Sequence, residues 1–438
     1  MSAPAISHQI QPPAPLGYID PIPYLIMTPK IKAPQSSQYL FTATRILALC
    51  ALFLATATPI LSQQPISLQE ADQRASAMFQ QSATTGMVLV AVRNHEVLIK
   101  TYGETSSGSG HAPDPHSIIR LCSISKVFTA DLLMRLAQEG KVSITDPLQR
   151  YAPPGIIVPD GADGTRISLL NLATHTAGLT REVSSYPKRT PHFTFPDRAF
   201  RWTWLPTQTL NAPPGTAATY SNVGFDLLGD ALASATHQNY AQLLHDQLLQ
   251  PLNMWDTTLV PSADQCARLM QGSSDEGPCT DTQPSGPSGG IYSTPTDMVK
   301  LLQYLLRVPG SPAPPNDDFT VYVQPKQLRS IYGLNHAGDP TGIGLAWIQL
   351  GDPATQSMVM EKTGGGAGFE TYIALNPQTK TGVFLAATDG KGDSQIHFFE
   401  EANNLLAALA GAPPLPPKMH HARPATKHPK PQRRKRRA

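Results

Sequence analysis

The 438-residue chain is long enough for one large domain or two, and its formal net charge of +2 averages unlike parts. Residues 418–437 hold nine Lys/Arg and no Asp/Glu, residues 1–62 are +2, and residues 63–417 are left at −9. An acidic body with a basic tail argues against a folded nucleic-acid-binding surface, and no nucleic-acid partner is expected.

Taken in chain order, the first feature is the apolar run at residues 46–57 (ILALCALFLATA), which follows Arg45 and is closed by Thr58-Pro59. It is short for a bilayer span and suits a signal-peptide core, so export to the periplasm or cell envelope is expected, with cleavage after Ala57 or near Ser62. A buried core helix is the alternative, which Pro59 and Pro65 disfavour. The Pro-rich stretch before the run is long for a signal and leaves Met27 beside Met1 as a candidate start. Ser67-x-x-Glu70 reads as a capping box opening a helix of about fifteen residues. Residues 87–92 and 97–101 are β-rich runs around Arg93-Asn94-His95-Glu96 and predict a hairpin. A helix is expected over 123–139, with Val127, Leu132, Leu133, Leu136 and Ala137 as its apolar stripe and Gly140 as its stop.

Residues 153–214 are rich in Pro, Gly and Thr, with a short helix expected at 169–173. Further helices are expected at 225–234, 240–252 and 297–306. Strand patterns return at 345–350, 358–362, 369–375 and 382–387, and residues 395–409 close as a helix. Strands at both ends with helices between predict an α/β (α+β) sandwich. Its body spans 63–411 with a helical insertion at about 140–340, between an N-terminal extension and signal at 1–62 and a disordered basic, Pro-rich tail at 412–438.

Of the four cysteines, Cys50 leaves with the signal, and its Leu47-Ala48-Leu49 lead-in is a poor lipidation site because Leu49 is too large. Cys266 and Cys279 flank a Gly/Ser/Asp-rich stretch and are expected to pair as a disulfide in an oxidising compartment, with two free thiols as the alternative. Cys122 is expected to pack as a small buried residue.

Three motifs carry chemistry. Ser123-Ile124-Ser125-Lys126 begins an apolar-periodic helix, so the i, i+3 spacing puts Lys126 on the face of Ser123, and the helix N-terminus favours a developing oxyanion. A buried lysine sheds its proton and can serve as a base. The competing reading is a helix cap beside a solvated lysine. A second copy, Ser185-Tyr186-Pro187-Lys188, has Pro187 against a regular helix. Tyr220-Ser221-Asn222 supplies a phenol, expected to ionise more easily near ammonium groups, and an amide that can bridge Lys126 and a substrate; a helix cap with a packed tyrosine is the alternative. Lys362-Thr363-Gly364 ends a strand and enters Gly365-Gly366-Ala367-Gly368, where the backbone can approach a ligand and Lys362 with Thr363 can grip a carboxylate. Its second copy, Lys380-Thr381-Gly382, reads as a hairpin tip. No zinc, paired-cysteine or nucleotide-loop motif competes, and no cofactor or metal is expected. A Ser-His-Asp set using His175 lacks a Gly-x-Ser-x-Gly elbow, and His175 is expected to pack and hydrogen-bond its helix.

In this order the motifs resemble the class C branch of the serine β-lactamase and penicillin-binding-protein superfamily, most closely its AmpH-type D-alanyl-D-alanine carboxypeptidase/endopeptidases. The resemblance runs over about 83–409. It also covers Asp146-Pro147-Leu148 through Gly155, Asn171 through Thr176, Asp264-Gln265-Cys266 with Pro278-Cys279, and Ser288 through Thr294. It implies a mixed, largely antiparallel sheet flanked by helices, with an all-helical region beside it. It further implies that Ser123 is acylated, that Lys126 and Tyr220 share proton transfer, and that Asn222 orients the acyl group. Lys362, Thr363 and Gly364 would bind the substrate carboxylate, and the N–H groups of Ser123 and Gly365 would form the oxyanion hole. The implied function is a serine hydrolase acting on D-Ala-D-Ala ends of peptidoglycan stem peptides and binding β-lactam antibiotics. A class C-type β-lactamase, an esterase of the same fold and a penicillin-binding sensor without turnover are the alternatives. The basic tail suggests contact with anionic envelope polymers. Cys122 departs from the pattern, where Ala or Gly is expected.

Overall fold

The computed structural model describes residues 64–416, apart from 185, 186, 188, 273–276, 316–318, 353 and 389–396. The apolar run at 46–57, the basic tail and the second Ser-x-x-Lys pair, through Ser185 and Lys188, lie outside the described residues.

Helix α1 (Leu68–Gln81) opens on the predicted capping box: the Glu70 amide donates to Ser67 Oγ at 3.1 Å and the Ser67 amide to Glu70 Oε2 at 2.9 Å. Strands β1 (Gly86–Arg93) and β2 (Glu96–Gly103) form the predicted hairpin, turning at Asn94 with φ 52°. The short β3 (Ile119–Arg120) leads into a 3₁₀ turn, Cys122–Ile124, and helix α2 (Ser125–Gln138). The helix expected from 123 thus starts two residues later. Its stripe widens to nearly the whole circumference, because α2 is enclosed by other helices and only residues such as Arg135 reach outward.

The insertion carries α3 (Leu169–Ala173), α4 (Arg198–Trp204), β4 (Ala218–Thr219), α5 (Asn222–Thr236), α6 (Tyr240–Leu244) and α7 (Ala263–Ala267). Past α6 the chain winds on as a π-helical stretch over His245–Leu249, inside the single helix expected at 240–252. After β5 (Tyr292–Ser293) and α8 (Pro295–Leu305) come β6 (Ile331–Tyr332), β7 (Gly342–Ile343), β8 (Ile348–Leu350), β9 (Val359–Gly366), β10 (Phe369–Asn376) and β11 (Thr381–Thr388). Helix α9 (Phe398–Ala410) follows. The main sheet has the order β2-β1-β11-β10-β9-β8-β7 and is antiparallel throughout. The parallel pairing of named strands is confined to the separate ribbon β4–β6. Both chain ends therefore build one sheet, as the strand pattern predicted.

The central strands are buried on both faces, which explains their near-continuous apolar runs. Val88, Val90, Phe384 and Ile373 join the core shared with α2, α5 and α8. Met87, Leu89, Leu385 and Tyr372 face α1 and α9. Each fully buried aliphatic side chain contributes roughly 1.5–3 kcal/mol. Lys380-Thr381-Gly382 lies at the β10–β11 turn with Lys380 at φ 49°, the predicted hairpin tip. Cys266 and Cys279 form a disulfide with Cα atoms 5.7 Å apart. Arg120 pins the bridged segment to the fold, donating to Pro278 O at 2.9 Å and to Tyr292 Oη at 2.8 Å. Among the described residues no helix is long and apolar enough to cross a membrane.

Candidate active site

Ser123 sits in the turn between β3 and α2, and that turn is tied down on three sides. The Leu121 amide donates to Ile291 O at 2.9 Å, and the Ile291 amide donates to Ser125 Oγ at 3.1 Å. The Thr371 hydroxyl, from β10, donates to Leu121 O at 2.9 Å. Cys122 is fully buried at φ 51°, with Sγ 3.2 Å from Gly366 O. A non-glycine residue in the left-handed region costs about 1–2 kcal/mol, a strain this anchoring sustains.

Strand β9 passes against the turn. A Cβ added to Gly364 would lie 2.2 Å from Thr371 Oγ1, 2.8 Å from Leu121 O and 3.2 Å from Cys122 Cβ. Glycine at 364 therefore sets how close β9 comes to Ser123, so its place in the motif is steric.

The α2 start brings Lys126 Nζ to 3.3 Å from Ser123 Oγ. Nζ also donates to Asn222 Oδ1 at 2.6 Å and to Ser288 O at 2.5 Å. Lys126 is fully buried, and burial first, then the charge of Lys362, holds its pKa well below the usual lysine range. A neutral amine has two N–H donors and one lone pair. The two carbonyl oxygens take the donors, which leaves the lone pair for the Ser123 hydroxyl.

Tyr220 Oη lies 2.5 Å from Ser123 Oγ. Ser221 caps α5, accepting from the Gly224 amide at 2.9 Å, and so sets Tyr220 and Asn222 at the helix entrance. Three basic side chains surround the Tyr220 ring: Lys126 Nζ and Lys362 Nζ each at 4.8 Å from its centroid and the Arg181 guanidinium carbon at 4.9 Å. The expectation that such neighbours ease its ionisation is reversed. Burial is the largest influence and raises the Tyr220 pKa above the usual phenol value, so at neutral pH the phenol keeps its proton and donates to Ser123.

Lys362 is buried at the end of β9, and burial lowers its pKa to about 8 against the opposing pull of Glu361. Its ammonium makes no hydrogen bond to the described residues and faces the Tyr220 ring, a fit for an incoming anion. Thr363 follows on the same strand, and Gly365 has open space about it, the nearest atom to an added Cβ being Phe369 O at 3.9 Å.

His175 is buried under Tyr220, ring centroids 4.6 Å apart, and its Nδ1 accepts from the Ser221 amide at 3.1 Å. It packs as expected, but its bond goes to the Tyr220 segment instead of its own helix. Burial holds its pKa well below the ordinary histidine value, so it stays neutral and supports the tyrosine.

Sequence reasoning missed Glu182, Arg181 and Asp226. Glu182 Oε1 accepts from Asn222 Nδ2 at 2.5 Å, so the Asn222 amide is engaged at both ends. Glu182 and Arg181 come from an irregular segment that carries no periodic signal. Asp226 had a signal, since it lies four residues after Asn222 and therefore on the same helix face.

A nucleophile, a buried amine of lowered proton affinity, a protonated phenol and an ammonium with no hydrogen bond among the described residues thus lie together. The Beta-lactamase family model matches residues 71–408. The chain belongs to the beta-lactamase family. This beta-lactamase-family chain is 38% identical over 383 residues to the D-alanyl-D-alanine-carboxypeptidase/endopeptidase AmpH of Escherichia coli K12, covering 84% of this chain and 96% of that protein. It superposes on the crystal structure of a beta-lactamase/D-alanine carboxypeptidase from Yersinia pestis with TM-score 0.73 and 39% identity, covering 81% of this chain and 99% of that one. A beta-lactamase of Lysobacter lactamgenus is 27% identical over 381 residues, covering 78% of this chain and 92% of that one. Like its family, the chain is a serine hydrolase.

Proposed function

We propose that the protein hydrolyses D-alanyl-D-alanine peptides of peptidoglycan through an acyl-enzyme on Ser123, as a carboxypeptidase and endopeptidase. The observation that carries this reading is the Lys126–Ser123–Tyr220 constellation, with contacts of 3.3 and 2.5 Å to one hydroxyl, beside the Lys362 ammonium. Identity to the Escherichia coli protein over nearly its whole length supports the substrate class.

In acylation, Ser123 Oγ attacks the penultimate carbonyl carbon while its proton passes to the Lys126 lone pair. The tetrahedral oxyanion rests on the N–H groups of Ser123 and Gly365. The Tyr220 phenol gives its proton to the departing amine, the C–N bond breaks, and Lys126 passes the proton it took from Ser123 on to Tyr220, so both residues regain their starting states and the amine leaves with one added proton. Water then adds to the ester, the C–Oγ bond breaks, and Ser123 regains its proton. Lys362 and Thr363, beside the close approach at Gly364, bind the terminal carboxylate, and Asn222 orients the acyl group. The buried Lys362 ammonium with the Thr363 hydroxyl beside it suits an anionic end better than a neutral one.

β-Lactam hydrolysis is the second reading, favoured by the beta-lactamases among the relatives. The same residues open a β-lactam amide, and the rate of deacylation separates the two activities. Turnover of a D-Ala-D-Ala peptide beside a chromogenic cephalosporin tests the choice. D-Ala release with slow cephalosporin turnover is expected, and the reverse ranking would overturn the peptidase reading. The apolar run at 46–57 supports export. The basic tail would hold the enzyme to anionic envelope polymers, and unchanged, salt-insensitive retention after removal of 418–438 would reject that role.

A further inference from the structure

Behind Lys126 lies a carboxylate that the acylation scheme above does not use. Asp226 is 1% exposed, and its Oδ1 has no hydrogen-bond partner among the described residues. It sits one turn along α5 from Asn222, the residue whose amide oxygen receives the Lys126 proton donor. Ser288, whose carbonyl accepts from Lys126 Nζ, turns its own hydroxyl to Ser285 O at 3.3 Å. Asn222 therefore joins the two groups, bonding Lys126 directly and standing one helical turn from Asp226 on the same face.

The neighbouring carboxylate shows the contrast. Asp230, one turn further on α5, is held by both ends of the Arg201 guanidinium at 2.6 and 3.0 Å. Arg201 also donates to Pro196 O and Pro284 O, each at 2.6 Å, so four of its five N–H groups are taken up away from Asp226. Among the described residues Asp226 has no ion-pair partner of its own within hydrogen-bond reach. A buried carboxylate left so is costly, several kcal/mol in general, and such groups concentrate at sites where a charge does work.

We propose that Asp226 is a positioning residue that keeps Lys126 basic enough to take the Ser123 proton, acting from the helical turn next to Asn222 against the charges of Lys362 and Arg181. This rests on Lys126 being the base for Ser123. The electrostatics agree. Lys362 and Arg181 lower the Lys126 proton affinity, while Asp226 first and Glu182 second raise it. The other groups facing Asp226 are Arg201 from α4, Asp230 on its own helix, and Tyr240 from α6, which stays protonated and bonded to Thr129 Oγ1 at 2.7 Å. Burial, opposed first by Arg201, raises the Asp226 pKa to about 7, so its charge changes within the working range of an envelope enzyme. Asp226 and Lys126 then share protons as a pair, and their titration belongs to both.

The sign follows. With Asp226 ionised, Lys126 binds a proton more readily. Protonating Asp226 withdraws that help, and Lys126 resists a second proton until lower pH. The acid limb of the Ser123 acylation rate in the wild-type protein should therefore fall in two steps. In Asp226→Asn it should become a single step displaced downward by about one pH unit, with the rate at pH 8 lowered about three- to tenfold because the base is weaker. The measurement is the pre-steady-state rate of acylation by a fluorescent penicillin from pH 4 to 9, with unfolding curves as the control. A D226N limb that superposes on the wild type after scaling would overturn the proposal. Should D226N fail to fold, the wild-type limb decides: two steps are expected, and a single step would overturn the proposal equally. A wild-type protein that forms no Ser123 adduct at any pH would instead defeat the acyl-enzyme reading, a separate result.

Discussion

Gly364→Ala asks more of this site than any change to a polar group. The added methyl would meet Thr371 Oγ1 at 2.2 Å and Leu121 O at 2.8 Å, the two ends of the 2.9 Å bond that anchors the nucleophile turn to β10. Either Thr371 rotates and that bond is lost, or β9 moves off the turn. A lost neutral hydrogen bond costs about 1 kcal/mol, and overpacking in a tight contact costs about 1–3 kcal/mol. The variant should lose about 2–4 kcal/mol of stability. A shift of about 1 Å between Ser123 and its two partners would lower acylation roughly 100-fold. Urea unfolding and the second-order rate of penicillin acylation read both effects. Gly365→Ala is the internal comparison, because its nearest neighbour is Phe369 O at 3.9 Å, and its stability should stay within about 0.5 kcal/mol of wild type. Wild-type stability and acylation in G364A, or equal losses in the two variants, would refute the close-approach reasoning.

Two further outcomes follow from buried charges. Lys362 has its pKa lowered to about 8, so raising the pH past that value discharges the clamp. KM for a carboxylate-bearing substrate should climb up to tenfold per pH unit above 8, while KM for a neutral ester stays level; parallel profiles would remove Lys362 from carboxylate binding. Glu361, on the opposite face of β9, has a pKa raised to about 7 by burial, with Oε2 unpartnered among the described residues. A carboxyl whose folded pKa exceeds its unfolded value favours folding while protonated, and that contribution is lost as pH rises from about 4 through 7. Glu361→Gln should thus be more stable than wild type at pH 8, by an amount on the order of 2–3 kcal/mol, and show little gain at pH 4. A pH-independent difference in urea midpoint would reject this.

Much of the fold is legible in the sequence because its signals are local. The Ser67–Glu70 box, the β-rich apolar runs of β1 and β10 and the stop at Gly140 depend on near neighbours. The motif triplet is legible because chemistry restricts residue type at fixed spacing. What escaped detection depends on distant contacts. The start of α2 slipped to Ser125 because Leu121 and Ser125 answer to Ile291, 166 residues away from Ser125. The state of Tyr220 is not legible because burial, a property of the assembled core, outweighs the basic side chains around it. Glu182 and Arg181 reach the site from a segment without periodicity. The strand expected at 345–350 shortens to Ile348–Leu350 because Ala346 turns the chain at φ 64°.

The most direct test is the mass of the intact protein after brief exposure to benzylpenicillin, followed by peptide mapping. A single adduct on the peptide carrying Ser123, absent from Ser123→Ala with the same unfolding curve, is the predicted result. An adduct on another residue, or labelling that survives S123A, would contradict the account at its root.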